Sequence, residues 1–485
     1  MTRPAHQVTT RHLGAAYPFA PEPGLGAPGV LVGRDLLGGP FVYDPFELYK
    51  RGSVTNPNMV VFGQIGRGKS AFVKSYLWRQ ALFGRRAWVV DPKGEYGSLA
   101  RAWGVIPLAL RPGGPLRLNP LEAVQGVEVS AGSRRLGLPH LYADAWSART
   151  GTADEMRRRR SELLASIGMA SLDRPLLPSE RAALDLAVVK AGSAATLPLV
   201  VQALLEPDRE SARSVGTDAA GLAADGRQVA LELRRLVTGD LRGMFDGPTT
   251  PGVSLDGPLV VLDLSAVYHS AALGILMTCA AAWLHSALGA AGSPADCTPD
   301  GPSWDSEGEQ PGACSASGII TPLRGEPSGP VVLVVDEAWA ILGNLAVARW
   351  LQASWKLSRA LGVANIAVLH RVSDLAAAGP AGSEQAGLAA GLLADSETRV
   401  IYGQSPGEVE HASSLLGLSA TEAELVARLR RGVALWKVGR RSFLVEHLLA
   451  SGERRLVDTD GRMVGGPRAG IPGPGMRLST AGAER

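Results

Sequence analysis

The stretch 59–70 constrains this chain more than any other. Four apolar residues, Met59-Val60-Val61-Phe62, run into Gly63-Gln64-Ile65-Gly66-Arg67-Gly68-Lys69-Ser70. A short apolar run that stops at glycine reads as a buried strand. Over residues 71–83 the apolar positions Phe72, Tyr76, Leu77 and Leu82 recur at helical spacing. Residues 87–90 are a second buried strand, ending at Asp91. Strand, glycine-rich loop, helix, strand is a βαβ unit, and such units build parallel sheets. The expected class is α/β, with a mainly parallel central sheet flanked by helices.

The loop fits the phosphate-binding pattern of Gly, four residues, then Gly-Lys-Ser. Glycines let backbone N–H groups turn inward around phosphate oxygens with no Cβ in the way. The helix that follows points its positive end at the same anion. The expected nucleotide contacts are therefore Gly63, Gln64, Ile65, Gly66, Arg67, Gly68, Lys69, Ser70 and Ala71. Lys69 would reach the β- and γ-phosphates and the Ser70 hydroxyl would ligate Mg²⁺. ATP and Mg²⁺ are the expected cofactors.

A second run, Val331-Val332-Leu333-Val334-Val335, delivers Asp336 and Glu337 to its C-terminal edge, where ligands sit in such sheets. Asp336 would hold Mg²⁺ through its water shell, and Glu337 would polarise the attacking water as a general base. Asp91-Pro92-Lys93-Gly94-Glu95-Tyr96 ends the second strand, expected beside the glycine-rich loop. Asp91 and Glu95 either shape the nucleotide site or merely close a turn. His370 and Arg371 end the strand at 365–369, where a residue that senses the γ-phosphate can stand; a packing role for His370 is the alternative. Arg359, Arg399, Arg430 and Arg431 are candidates for an arginine finger. The run Arg157–Arg160 follows Asp154 and Glu155 and reads as a solvated helix face rather than a DNA contact.

With 485 residues, one large domain with insertions or two domains are expected. The divisions are a flexible leader at 1–29, the first part of the ATPase domain at 30–131, an all-helical insertion at 132–239, its second part at 240–460 and a flexible tail at 461–485. Within the insertion, residues 153–167, 178–191 and 226–237 carry helical spacing. Residues 290–329 are rich in Gly, Pro, Ser and Asp and read as a disordered loop. A net charge of +3 excludes a histone-like coat of nucleic acid but not a narrow basic channel. Cys279, Cys297 and Cys314 lack metal-ligand spacing and suit a reducing, cytosolic compartment. No secretory signal is visible, and the Ala-rich stretch 271–288, broken by Thr278, His285 and Ser286, reads as a buried helix rather than a membrane span.

Taken in order, these motifs resemble the HerA–FtsK superfamily of hexameric translocases, and more narrowly the cytoplasmic ATPase of conjugative type IV secretion systems. The resemblance rests on Asn56-Pro57-Asn58 before the glycine-rich loop, Asp91-Pro92-Lys93-Gly94-Glu95-Tyr96, and Met244-Phe245-Asp246-Gly247. Asp336-Glu337-Ala338-Trp339 and the lead into the terminal hairpin, Leu429-Arg430-Arg431-Gly432, complete it. It implies Lys69, Ser70, Asp336 and Glu337 as the catalytic set, in a homo-hexameric ring with nucleotide at subunit boundaries. It also implies a finger arginine from the neighbouring chain, Arg399 or Arg431 first, and DNA or a secreted protein as substrate. Channel components at the inner face of the membrane would be partners. His370 departs from the glutamine common at the sensor position. About sixty residues precede the loop, so a nearly bare motor domain is expected in place of the family's channel-docking domain. A free-standing DNA translocase and a non-hydrolysing ATP-binding scaffold are the alternative functions.

Overall fold

The apolar runs at 59–62 and 331–335 are continuous because the sheet they enter is covered on both faces. In the computed structural model, Met59–Phe62 (β3) and Val331–Val335 (β7) bury every side chain. Val60, Phe62, Val331, Leu333 and Val335 enter one core cluster, and Met59, Val61, Val332 and Val334 enter the other. This is the period-two alternation of a strand, concealed in the sequence because neither face meets water. The structure describes residues 24–122 and 153–457, except 173, 240, 254–256, 269, 271–272, 278, 281–282, 284–329, 343–347, 349–350, 353–354, 357, 360–361 and 374–382.

The other strands are Val30–Asp35 (β1), Pro40–Tyr43 (β2), Arg86–Asp91 (β4), Leu108–Ala109 (β5) and Leu259–Asp263 (β6). Val363–Leu369 (β8), Thr398–Tyr402 (β9), Val433–Val438 (β10) and Arg441–His447 (β11) follow. They form one 11-stranded sheet in the order β2-β1-β11-β10-β9-β3-β8-β7-β4-β6-β5. From β9 to β5 all neighbours are parallel; β10, β11, β1 and β2 extend the sheet antiparallel. The expected α/β class is therefore met. One expectation is corrected: the strand ending at Asp91 does not lie beside the glycine-rich loop. The crossover from β3 carries the chain past two positions, and the later strands β8 and β7 fill them.

The antiparallel edge was legible only in part. The β10–β11 hairpin about Gly439 matches the terminal hairpin expected from the sequence, whereas β1 and β2 begin just past the expected leader and carry no strand expectation of their own. The edge matters because its aromatics pack on the helix Lys69–Gln80 that follows the glycine-rich loop. Trp436 meets Phe41, Tyr43 and Phe72 at centroid distances of 5.0, 5.2 and 5.2 Å, a geometry that adds to plain burial.

His447 of β11 completes this brace, with Nε2 2.8 Å from the Ser75 hydroxyl and its ring edge-on to Phe72. Burial, reinforced by nearby Arg79, pushes the imidazole down from 6.5 to about 4. The folded state thus prefers neutral His447. Its contribution to stability is complete above pH 6.5 and fades as the pH falls towards 4, because the unfolded chain takes the proton first. His447→Gln is expected to remove about 2–3 kcal/mol of the stability lost between pH 7 and 4.5. Denaturant unfolding of parent and variant at both pH values checks this; a pH-independent difference contradicts it.

Between β5 and β6 the described residues include five helices, Ala153–Leu172, Pro178–Ala191, Leu197–Leu205, Arg209–Ser214 and Ala219–Thr238. Leu164, Leu184, Leu204 and Leu233 from these helices are buried in the same cluster as Phe62 and Leu333 of the sheet. Arg160 corrects the reading of a solvated basic face. It is buried, and its guanidinium donates to the carbonyls of Leu121, Gly192 and Ser193 at 2.7–2.8 Å. Arg157, Arg158 and Arg159 are exposed. The readings for 290–329, 461–485, Cys297 and Cys314, and for most of 1–29, lie outside the described residues. Cys279 is buried, and burial pushes its thiol up to about 12. Among the described residues, no helix is long and apolar enough to cross a membrane.

Candidate functional site

The glycine-rich loop leaves the C-terminal end of β3 and returns as the helix Lys69–Gln80. Gly68 is its N-cap, with φ +110 and no side-chain cap; that backbone region is open to glycine and strained for other residues. The helix therefore begins with uncapped N–H groups, an anion site by geometry and dipole. Gly63 is required for a different reason: a Cβ there would lie 2.5 Å from Cβ of Tyr402. Ile65 is exposed at the tip of the loop.

The hairpin lead-in braces this loop. Gly432 N donates to Arg67 O at 3.0 Å, and the Arg67 guanidinium donates to Leu429 O and to Oε1 of Gln64. Gln64 N in turn donates to Gly403 O. Lys69 is buried, and its ammonium donates to the carbonyls of Gly63 and Gln64. Ser70 and Ala71 follow in the first turn, partly buried.

Strand order brings the other expected residues to the same edge. β8 lies between β3 and β7, and β4 lies beyond β7. The strand ends thus present Lys69, His370, Asp336-Glu337 and the Asp91–Tyr96 turn side by side. The contacts are continuous. Lys69 Nζ is 3.4 Å from His370 Nδ1, His370 Nε2 is 2.7 Å from the Glu337 carboxylate, and Lys93 Nζ is 2.5 Å from Glu337 Oε1. Nε2 can meet a carboxylate only as a donor, which leaves Nδ1 to accept from Lys69. His370 therefore links the phosphate-loop lysine to the candidate base.

The carboxylates are in unequal environments. Burial raises Asp336 to about 7, with the negative charges of Glu337, Asp91 and Glu95 adding to it. Burial would raise Glu337 too, but hydrogen bonds from His370, Lys93 and Trp339 reverse this and hold it at about 2. Trp339 Nε1 donates to Glu337 Oε2 at 2.5 Å. Glu337 has φ +55, alone among the described non-glycine residues in positive φ; such strain persists where surrounding contacts hold it.

Asp91 and Glu95, expected at the nucleotide site, make their contacts with their own turn and with Lys74. The Asp91 carboxylate accepts from the backbone N–H of Lys93, Gly94, Glu95 and Tyr96 at 2.9–3.2 Å. It is buried, and that burial raises its pKa to about 6 despite those bonds. Asp91 thus shapes the turn from within. Glu95 lies 3.6 Å from the ammonium of Lys74, a fully buried side chain. Lys74 was not among the expected residues. Its signal was a lysine four positions after Ser70 on a helix, hence on the same face. Lys93 and Trp339 stood inside quoted motifs without an assigned role.

Arg399, a finger candidate, is engaged within its own chain. Its guanidinium donates to Leu416 O at 3.2 Å and Leu393 O at 3.0 Å, tying down two helix ends of its own chain. Arg431 is exposed, next to Gly432 and so near its own chain's phosphate loop. Arg430 pairs with Glu446 at 2.5 Å.

A buried Asp336 among neighbouring negative charges has the chemistry of a cation ligand, and Ser70 supplies a hydroxyl at the helix start. Among the described residues no three His, Cys, Asp or Glu form a metal cage. Mg²⁺ on a nucleotide needs none, because phosphate and water supply most of its ligands.

No protein-family model matches the chain, and no curated protein matches it in sequence. Solved structures do match in fold. VirB4 of Thermoanaerobacter pseudethanolicus superposes with a TM-score of 0.63 at 19% identity, over 88% of this chain and 98% of that one. The bacterial conjugative coupling protein TrwBdeltaN70, in its trigonal form with sulphate, superposes with a TM-score of 0.51 at 14% identity, over 87% and 89%. The chain has a P-loop ATPase fold. The resemblance read from its motifs is thus matched by its architecture.

Proposed function

We propose that this P-loop ATPase hydrolyses ATP and couples the hydrolysis to moving DNA or protein, as a motor of the conjugation and secretion type. The observation that supports this best is the unbroken contact chain Lys69–His370–Glu337 across three neighbouring strand ends. It joins a phosphate-binding lysine to a carboxylate, as hydrolysis with γ-phosphate sensing requires. Lys69 and the N–H groups of residues 63–71 would hold the phosphates. Ser70 and Asp336 would hold Mg²⁺, which would neutralise developing phosphate charge. Glu337 would orient and deprotonate water, and His370 would report the γ-phosphate to it. Arg431 is the arginine we assign to charge stabilisation near the phosphates, since Arg399 is committed to its own helix ends.

The resemblance to VirB4 and TrwB supports a homo-hexameric ring on the cytoplasmic side of the membrane, with channel components as partners. An ATPase assay with and without single- and double-stranded DNA, read beside the oligomeric mass with bound nucleotide, tests the proposal. Turnover by an oligomer that grows on nucleotide binding is expected. Stimulation by a membrane channel partner but not by DNA points to secretion, and stimulation by DNA alone to a free-standing translocase. A monomer that binds ATP and never turns it over refutes the motor.

A further inference from the structure

Glu337 already accepts hydrogen bonds from His370 and Trp339, so Lys93 is not needed to satisfy it. Yet Lys93 Nζ sits 2.5 Å from Oε1, and the Glu337 side chain is only 4% exposed. The same ammonium lies 3.5 Å from His370 Nε2 and 5.9 Å from the centre of the Tyr268 ring. Its reach is fixed at its base, because the Asp91 carboxylate binds four successive N–H groups from Lys93 to Tyr96. The lysine therefore belongs to a rigid turn on β4, one strand beyond the carboxylate it meets.

A general base must offer water a lone pair that no stronger partner holds. An ammonium at ion-pair distance in a buried site is such a partner. With three donors on one carboxylate and the backbone of Glu337 at φ +55, the observed arrangement is that of a base withdrawn from use. We propose that Lys93 is a positioning residue that latches Glu337 in this withdrawn state, and that turnover requires the Lys93–Glu337 ion pair to open. This rests on the ATPase reading. It gives the Asp91–Tyr96 turn a task distinct from nucleotide binding: it restrains basal hydrolysis from the side of the site opposite the phosphate loop.

The test uses the full chain and steady-state ATP turnover without DNA or partner protein, for the parent, Lys93→Ala, Lys93→Arg and the double variant Lys93→Ala with Glu337→Gln. Thermal melting and binding of a fluorescent ATP analogue are run alongside. The latch predicts that Lys93→Ala raises kcat roughly tenfold with KM and analogue binding unchanged. Lys93→Arg, which can remake the ion pair, stays near the parental rate, and the double variant is inactive. A Lys93→Ala protein that folds and turns over at or below the parental rate overturns the latch. With weakened analogue binding, that result makes Lys93 a phosphate contact instead. An arginine variant as fast as the alanine variant, or an accelerated double variant, also overturns it. If the parent and Lys93→Ala both bind the analogue and neither turns over ATP, the ATPase reading itself falls, taking the latch with it.

Discussion

Glu337→Gln is expected to lower ATP turnover by roughly 10²–10⁴-fold, the range a positioned general base contributes, while ATP binding stays near the parental level. The amide is nearly the same size, and its oxygen still accepts from Trp339 and His370; its NH2 gives up the ion pair with Lys93, so the change stays local to that pair. It has no basic oxygen to take a proton from water. The phosphate loop lies two strands away and keeps Lys69, Gly68 and the uncapped helix start. Single-turnover hydrolysis and equilibrium binding of a nucleotide analogue, on the same preparation, separate the two effects. Equal turnover in the variant would refute the assignment of Glu337 as base. Lost binding with lost turnover would make Glu337 part of the nucleotide cradle.

Lys69→Ala is expected to act on binding itself. Its ammonium donates to two carbonyls of its own loop, Gly63 and Gln64, and these are the bonds that nucleotide phosphate would replace. The variant loses a charge-assisted interaction worth about 1.5–3 kcal/mol, which corresponds to roughly a 10- to 100-fold weaker affinity for ATP. It also leaves His370 Nδ1 without its contact at 3.4 Å, so turnover at saturating ATP should fall as well. Isothermal titration with a non-hydrolysable analogue checks the first effect and saturated turnover the second. Unchanged affinity would contradict the phosphate-loop assignment.

Parts of this site were legible because their physics is local. Gly68 at φ +110 and the uncapped helix after it follow from a backbone that must turn around an anion. Asp336 and Glu337 had to reach a strand's C-terminal edge, since the five apolar residues before them can only be a buried strand. Other parts were hidden. β1 and β11 pair across nearly the whole chain, and neither strand carries a signal of its partner. Arg399 looked free because its bonds run to carbonyls, which every residue has and no motif displays. Arg160 was misread for the same reason.

The glycine-rich loop, the class of sheet and the carboxylates at its edge were determined by the sequence alone, because each depends on neighbours a few residues apart. What the tertiary structure decided was adjacency. By inserting β8 and β7 between β3 and β4, the sheet made His370 the bridge from Lys69 to Glu337 and brought Lys93 onto the same carboxylate. Charged groups act on one another through distances of a few ångström. Those distances are set by strand order, which the long crossovers leave open until the whole sheet has closed around its two cores.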